Sequence, residues 1–139
     1  LKNIVTQTRA KGGTPVLITS MERKSGVTAP TLAGYPDAVR AVAREDNVAL
    51  IDLHAMSVRL YQALGTNLSA AFQDGTHHNN YGSYELAKCV AAGIATAKLD
   101  LAAFLVEGVK TFDPVHPDPV GKFNVPPSPA RSTRQPDGN

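Results

Sequence analysis

The densest polar cluster in the sequence is Asp74-Gly75-Thr76-His77-His78-Asn79-Asn80. Asp74 and His77 stand three positions apart, so one tight turn can bring the carboxylate against the imidazole. A carboxylate on Nδ1–H fixes the ring's tautomer and leaves Nε2 free to accept a proton. Serine is inert at neutral pH until such a base takes its proton, so the pair suits nucleophilic acyl chemistry. The same pattern recurs by chance in many chains. Its plainer reading is an Asp and a His bonding loop backbone near a helix cap. Asp74, His77, His78 and His54 could also be read as metal ligands. Adjacent histidines point in different directions and no second cluster has ligand spacing, so neither metal nor cofactor is expected.

The cluster needs elements to hold it. Leu1 to about Ala10 has helical spacing and stops at Lys11-Gly12-Gly13. Thr14–Ser20 is a short apolar run that reads as a strand covered on both faces. A loop from Met21 to Gly34 leads to a helix from Tyr35 to about Asp46, with Pro36 in its first turn. Val48–Leu53 is a second buried-strand pattern, followed by a helix from about Ala55 to Leu64 that ends at Gly65. After the polar cluster, Tyr81 to Leu99 forms the best-marked helix, with Leu86, Cys89, Val90 and Ile94 on one stripe and Asn79 or Asn80 placed to cap it. Leu101–Val109 reads as one more short helix.

Helices alternating with strands imply a parallel sheet flanked by helices, an α/β class. Two strands alone make a poor sheet, so the chain reads as the second half of a doubly wound domain. It opens at Leu1, inside an amphipathic helix, which fits a piece of something longer. Residues 1–110 form the domain part. From Thr111 the composition shifts: seven of the ten prolines fall between Thr111 and Asn139, an extended Pro-rich arm.

Composition narrows the partners. The chain has 139 residues, 42% of them hydrophobic, and a formal net charge of +2 from 14 basic and 12 acidic side chains. Scattered basic residues give no electrostatic case for nucleic acid. No apolar run reaches the length that spans a bilayer, so no membrane segment is expected. The single cysteine, Cys89, reads as a small buried apolar residue.

Three stretches carry a family resemblance: TPVLITSMERKSG, YPDAVRAVAREDNVALIDLHAMSVRLYQALG and DGTHHNNYGSYELAKCVAAGI. Together they resemble the C-terminal half of SGNH (GDSL-type) hydrolases, most of all the rhamnogalacturonan acetylesterase branch of carbohydrate esterases. The most specific part is Asp74-x-x-His77 with Gly82 five residues after the histidine. The resemblance implies a flavodoxin-like three-layer α/β/α sandwich, of which only the C-terminal portion is present. It implies deacetylation of a carbohydrate ester through an acyl-serine, with His77 as general base and Asp74 as its orienting carboxylate. It also suggests a secreted or periplasmic protein.

The family's Gly-Asp-Ser nucleophile block and its oxyanion-hole Gly and Asn blocks are absent from these 139 residues. The expectation is therefore split between an esterase parent and a chain that is inactive alone, needing the N-terminal half that bears the nucleophile. The alternative is a non-catalytic carbohydrate-binding or interaction module of the same fold. Arg23 receives no substrate contact, Tyr81 and Tyr84 are assigned to packing, His78 to solvent or a substrate cleft, and His54 to helix capping or packing. Asp52 ends a strand and should be hydrogen-bonded to loop backbone.

Overall fold

The computed structural model describes residues 1–125. Helix α1 (Lys2–Ala10) ends where Gly12 adopts a φ of +77°, a conformation that side chains with a Cβ resist. Strand β1 (Val16–Ile18) leads through a loop with a 3₁₀ turn at Lys24–Val27 to α2 (Tyr35–Glu45). The chain turns at Asn47 into β2 (Ala49–Ile51), which runs parallel to β1 with Val16, Leu17 and Ile18 opposite Ala49, Leu50 and Ile51. Helix α3 (Leu53–Leu64), a 3₁₀ stretch at Gly65–Ala71, α4 (Asn80–Thr96) and the one-turn α5 (Glu107–Lys110) complete the order. The chain is thus mixed α/β with a parallel sheet, as the alternation of elements predicts. Among the described residues no helix is long and apolar enough to cross a membrane.

Two expectations need correction. β1 is not covered on both faces: Val16 and Leu17 are half-buried and Ile18 is 47% exposed. A two-stranded sheet leaves each strand with a free edge, so only β2, against α4, gains a buried side chain in Ile51. There the helix approaches so closely that a Cβ on Gly93 would overlap the Ile51 side chain. Leu101–Val109 is likewise not one helix. A 3₁₀ turn at Asp100–Phe104 and α5 are separated by extended backbone at Leu105 and Val106.

The core lies beside the sheet rather than under it. Leu53, Leu60, Tyr61 and Leu64 of α3 meet Tyr81, Leu86 and Cys89 of α4, with Ala71 and Phe72 closing one end. Cys89 is fully buried, and desolvation pushes its thiol up to about 12.

The segment after Thr111 is docked on this core. Phe112 and Phe123 pack against it, Pro114 is buried, and the Phe123 ring meets Tyr81 edge-on. Tyr81 Oη donates to the Asp118 carbonyl at 2.7 Å, and Tyr84 Oη donates to the Asp118 carboxylate at 3.1 Å. Tyr81 and Tyr84 therefore do pack, and what they hold is this segment. Lys88 Nζ lies 2.9 Å from both Glu85 and Asp118 and 4.3 Å from the Phe112 ring centre. Burial raises the Glu85 carboxyl more than Lys88 lowers it, whereas for Lys88 the opposing burial is outweighed by the two carboxylates. The rest of the Pro-rich arm, 126–139, lies outside the described residues.

Lys88→Met should therefore destabilise the fold by about 3 kcal/mol in denaturant titrations, because it strands Glu85 in the core. Limited proteolysis should then cut between 111 and 125 faster than in the parent chain. Unchanged stability and unchanged cleavage would show that the ion cluster does not hold the segment.

Candidate active site

Asp74 shapes its own loop. Oδ1 accepts the backbone N–H groups of Thr76 and His77, each at 2.7 Å, and Oδ2 lies 2.7 Å from His77 Nδ1. The short Asp side chain substitutes for a backbone turn, which is why a three-residue spacing suffices. The backbone N–H of His77, its ring and the N–H of Thr76 hold the Asp74 carboxyl well below the usual carboxylate range. A carboxylate on Nδ1 makes that nitrogen the protonated one, leaving Nε2 with its lone pair. Among the described residues Nε2 has no hydrogen-bond partner, and the His77 and Asp74 side chains are 73% and 55% exposed.

The loop is pinched at its base. Phe72 and His78 form an antiparallel bridge, Gln73 N–H donates to the His77 carbonyl at 2.8 Å, and Asn79 N–H donates to Ala71 at 3.2 Å. Lys24 N–H donates to Gly75, bracing the tip against the loop after β1. Asn79 caps α4 by accepting the Gly82 N–H at 3.0 Å while its amide donates to Ala70. Gly82 allows this arrangement because a Cβ there would lie well inside van der Waals contact with the Ala71 carbonyl. The capping role expected of Asn79 or Asn80 thus falls to Asn79.

His78 departs from expectation. It is half-buried and stacks on Phe72, ring centres 4.2 Å apart, with Nε2 2.7 Å from Tyr61 Oη. Burial, then its neighbour His77, pulls its pKa below the ordinary value of 6.5.

A second polar network occupies the carboxyl ends of the strands. Arg40 grips Asp52 with two bonds of 2.8 Å, and Asp52 also takes the Thr19 hydroxyl and caps α3 through the Ala55 N–H. A side-chain clamp therefore dominates where loop backbone was expected. His54 does not cap its helix. Arg40 Nη2, which can only donate, lies 3.2 Å from His54 Nδ1, so His54 presents Nε2–H to Glu22 at 3.3 Å. Glu22 is 1% exposed and also accepts the backbone N–H groups of Arg23 and Thr31 and the Thr31 hydroxyl. Burial raises its carboxyl, but these donors, Thr31 first, outweigh it and the net shift is downward. Arg23 contributes its backbone here and forms no side-chain hydrogen bond among the described residues.

Sequence reading passed over Glu22, Arg40, Thr19 and Ser57. The available signal was a charged residue in the loop after a strand, but apart from Arg23 its partners come from 9 to 39 residues away. Among the described residues no serine hydroxyl bonds to His77. Ser57 is buried, accepting Glu22 N–H and donating to the His54 carbonyl.

Two proteins of Bacillus subtilis (strain 168) are similar to this chain. Rhamnogalacturonan acetylesterase RhgT is 36% identical over an alignment covering 70% of this chain and 51% of the relative. Probable rhamnogalacturonan acetylesterase YesY is 32% identical, covering 77% of this chain and 54% of the relative. The chain spans about half the length of the curated relatives it matches. No family model matches it, and no solved structure does. The chain is a relative of rhamnogalacturonan acetylesterase-like proteins.

Acid should loosen this loop in two stages. Unfolded, His78 takes up protons below its ordinary 6.5, while the folded ring resists, so stability falls as the pH drops through that value. Asp74 is held below its ordinary 3.8, so its contribution is complete above that pH and is lost further down. Denaturation midpoints between pH 7 and pH 2 should decline accordingly, and a flat profile would contradict the geometry. Gly82→Ala should cost about 1–3 kcal/mol by forcing α4 off Ala71, measured by thermal melting.

Proposed function

We propose that this chain carries the acid–base part of a serine esterase of the SGNH (GDSL) type, which removes acetyl groups from a carbohydrate or polysaccharide ester. One observation supports this above others: a 2.7 Å carboxylate–imidazole pair with Nε2 open, on a chain related to proteins named acetylesterases. In this reading the nucleophilic serine, the oxyanion donors and the first strands of a flavodoxin-like sheet lie in polypeptide outside these residues. The half-exposed β1 fits a sheet that continues.

The chemistry follows from the pair. His77 Nε2 takes the serine proton as the oxygen attacks the ester carbonyl, and the Asp74 carboxylate stabilises the imidazolium so formed. The sugar oxygen leaves with that proton, giving an acetyl-serine. His77 then deprotonates a water, which attacks the acyl carbon, and the proton returns to serine as acetate departs. No metal or cofactor has a role in this sequence.

Acetate release from acetylated rhamnogalacturonan and from nitrophenyl acetate tests the reading. The chain alone should be inactive, while a protein that includes the upstream polypeptide should turn over. In that longer protein Asp74→Asn should lower kcat by about 10⁴-fold and His77→Ala by about 10⁶-fold. Turnover that survives His77→Ala would overturn the proposal. Retention of acetylated oligosaccharides without turnover by the longer protein would favour a binding module instead.

A further inference from the structure

His77 and His78 are adjacent, chemically identical, and only one can serve as the open base. We infer that His78 is a positioning residue for His77: anchored inward by Tyr61 and Phe72, it fixes the backbone register that turns its neighbour's ring outward onto Asp74. The inference rests on the esterase reading for its purpose, and on geometry for its content.

In extended backbone, successive side chains point to opposite sides. His78 is extended at its bridge with Phe72, and its ring is inside. His77 is thereby sent outside, where Asp74 waits. A slip of one residue would exchange the two rings, burying the base and leaving Asp74 unpaired. The position of the bridge to Phe72, and the Asp74 turn whose Oδ1 accepts the Thr76 and His77 N–H groups, set which of the two rings turns inward.

The hydrogen bond to Tyr61 holds the inward ring in that register. Tyr61 is 1% exposed and its hydroxyl donates to the Glu22 carbonyl at 3.0 Å. With its one proton committed there, the oxygen can only accept from His78, so His78 is the neutral Nε2–H tautomer. Glu22 cannot drift, since Ser57 holds its N–H at 2.9 Å and Arg23 and Thr31 hold its carboxylate. The chain Glu22–Tyr61–His78 therefore references the site loop to the loop after β1. The side chain of Gln73 adds a lock by donating to the His78 carbonyl at 2.9 Å.

Nitrogen NMR of the imidazoles in this chain at neutral pH tests the inference without any turnover. The parent should show His77 protonated at Nδ1 and bare at Nε2. Tyr61→Phe and His78→Phe keep the rings but remove one side of the hydrogen bond, and both should shift His77 toward the Nε2–H form. His78→Gln restores an amide donor and should recover the parental His77 pattern. Circular dichroism gives the helix content of each variant. The inference is overturned if His77 is unchanged in both Phe variants, or if His78→Gln behaves like His78→Phe. In the longer, active protein Tyr61→Phe should lower kcat about 10- to 100-fold with KM unchanged. Failure of the NMR arm leaves the esterase reading standing. Turnover that ignores His77→Ala removes the esterase reading and leaves the His78 result intact.

Discussion

A carboxylate shut away from water must be met by donors from several directions, and Glu22 imposes that demand on this fold. Its neighbours supply two backbone N–H groups and a hydroxyl, His54 supplies a ring N–H, and its own main chain is held by Ser57 and Tyr61. These partners come from the loop after β1, from the approach to α2 and from two turns of α3. Meeting the charge therefore fixes how those pieces meet. Removing a single donor would leave a buried ion partly unanswered, which is far more damaging than losing an exposed contact.

Beside it, Arg40 closes a second ring through Asp52 and Thr19, and the two rings share His54. The carboxyl ends of β1 and β2 are thereby tied by side chains as well as by three register pairs. For a sheet this small, that bracing substitutes for the neighbouring strands that usually bury such an edge. The apolar core, displaced toward α3 and α4, supports the site loop from the other side through Phe72 and Ala71.

What could be read from the sequence was what is local. Asp74 and His77 interact across one turn, so their spacing alone conveys the geometry. The α4 helix and its Asn79 cap are visible for the same reason. The parallel pairing followed from the order of elements rather than from the three-residue strands themselves. Glu22, Arg40 and Tyr61 were hidden because their meaning lies mostly in partners from 9 to 39 positions away. His78 was misplaced because a doublet of identical residues gives no sign of which one faces inward. Tyr81 and Tyr84 were legible as packing, yet not as anchor points of the segment around Asp118, and Lys88 carried no local sign of its part in it.

The openness of Asp74 and His77 has its own consequence. Standing in bulk solvent, the two groups feel an attraction diluted by the full dielectric of water. Displacing that water with a docked surface, whether polysaccharide or protein, would strengthen the attraction roughly fourfold if the effective dielectric fell from that of water to that of a protein surface. The same covering would strip the carboxylate of its hydration, a cost that grows with burial. Any surface that covers the pair must therefore offer polar groups to the carboxylate oxygens that water leaves.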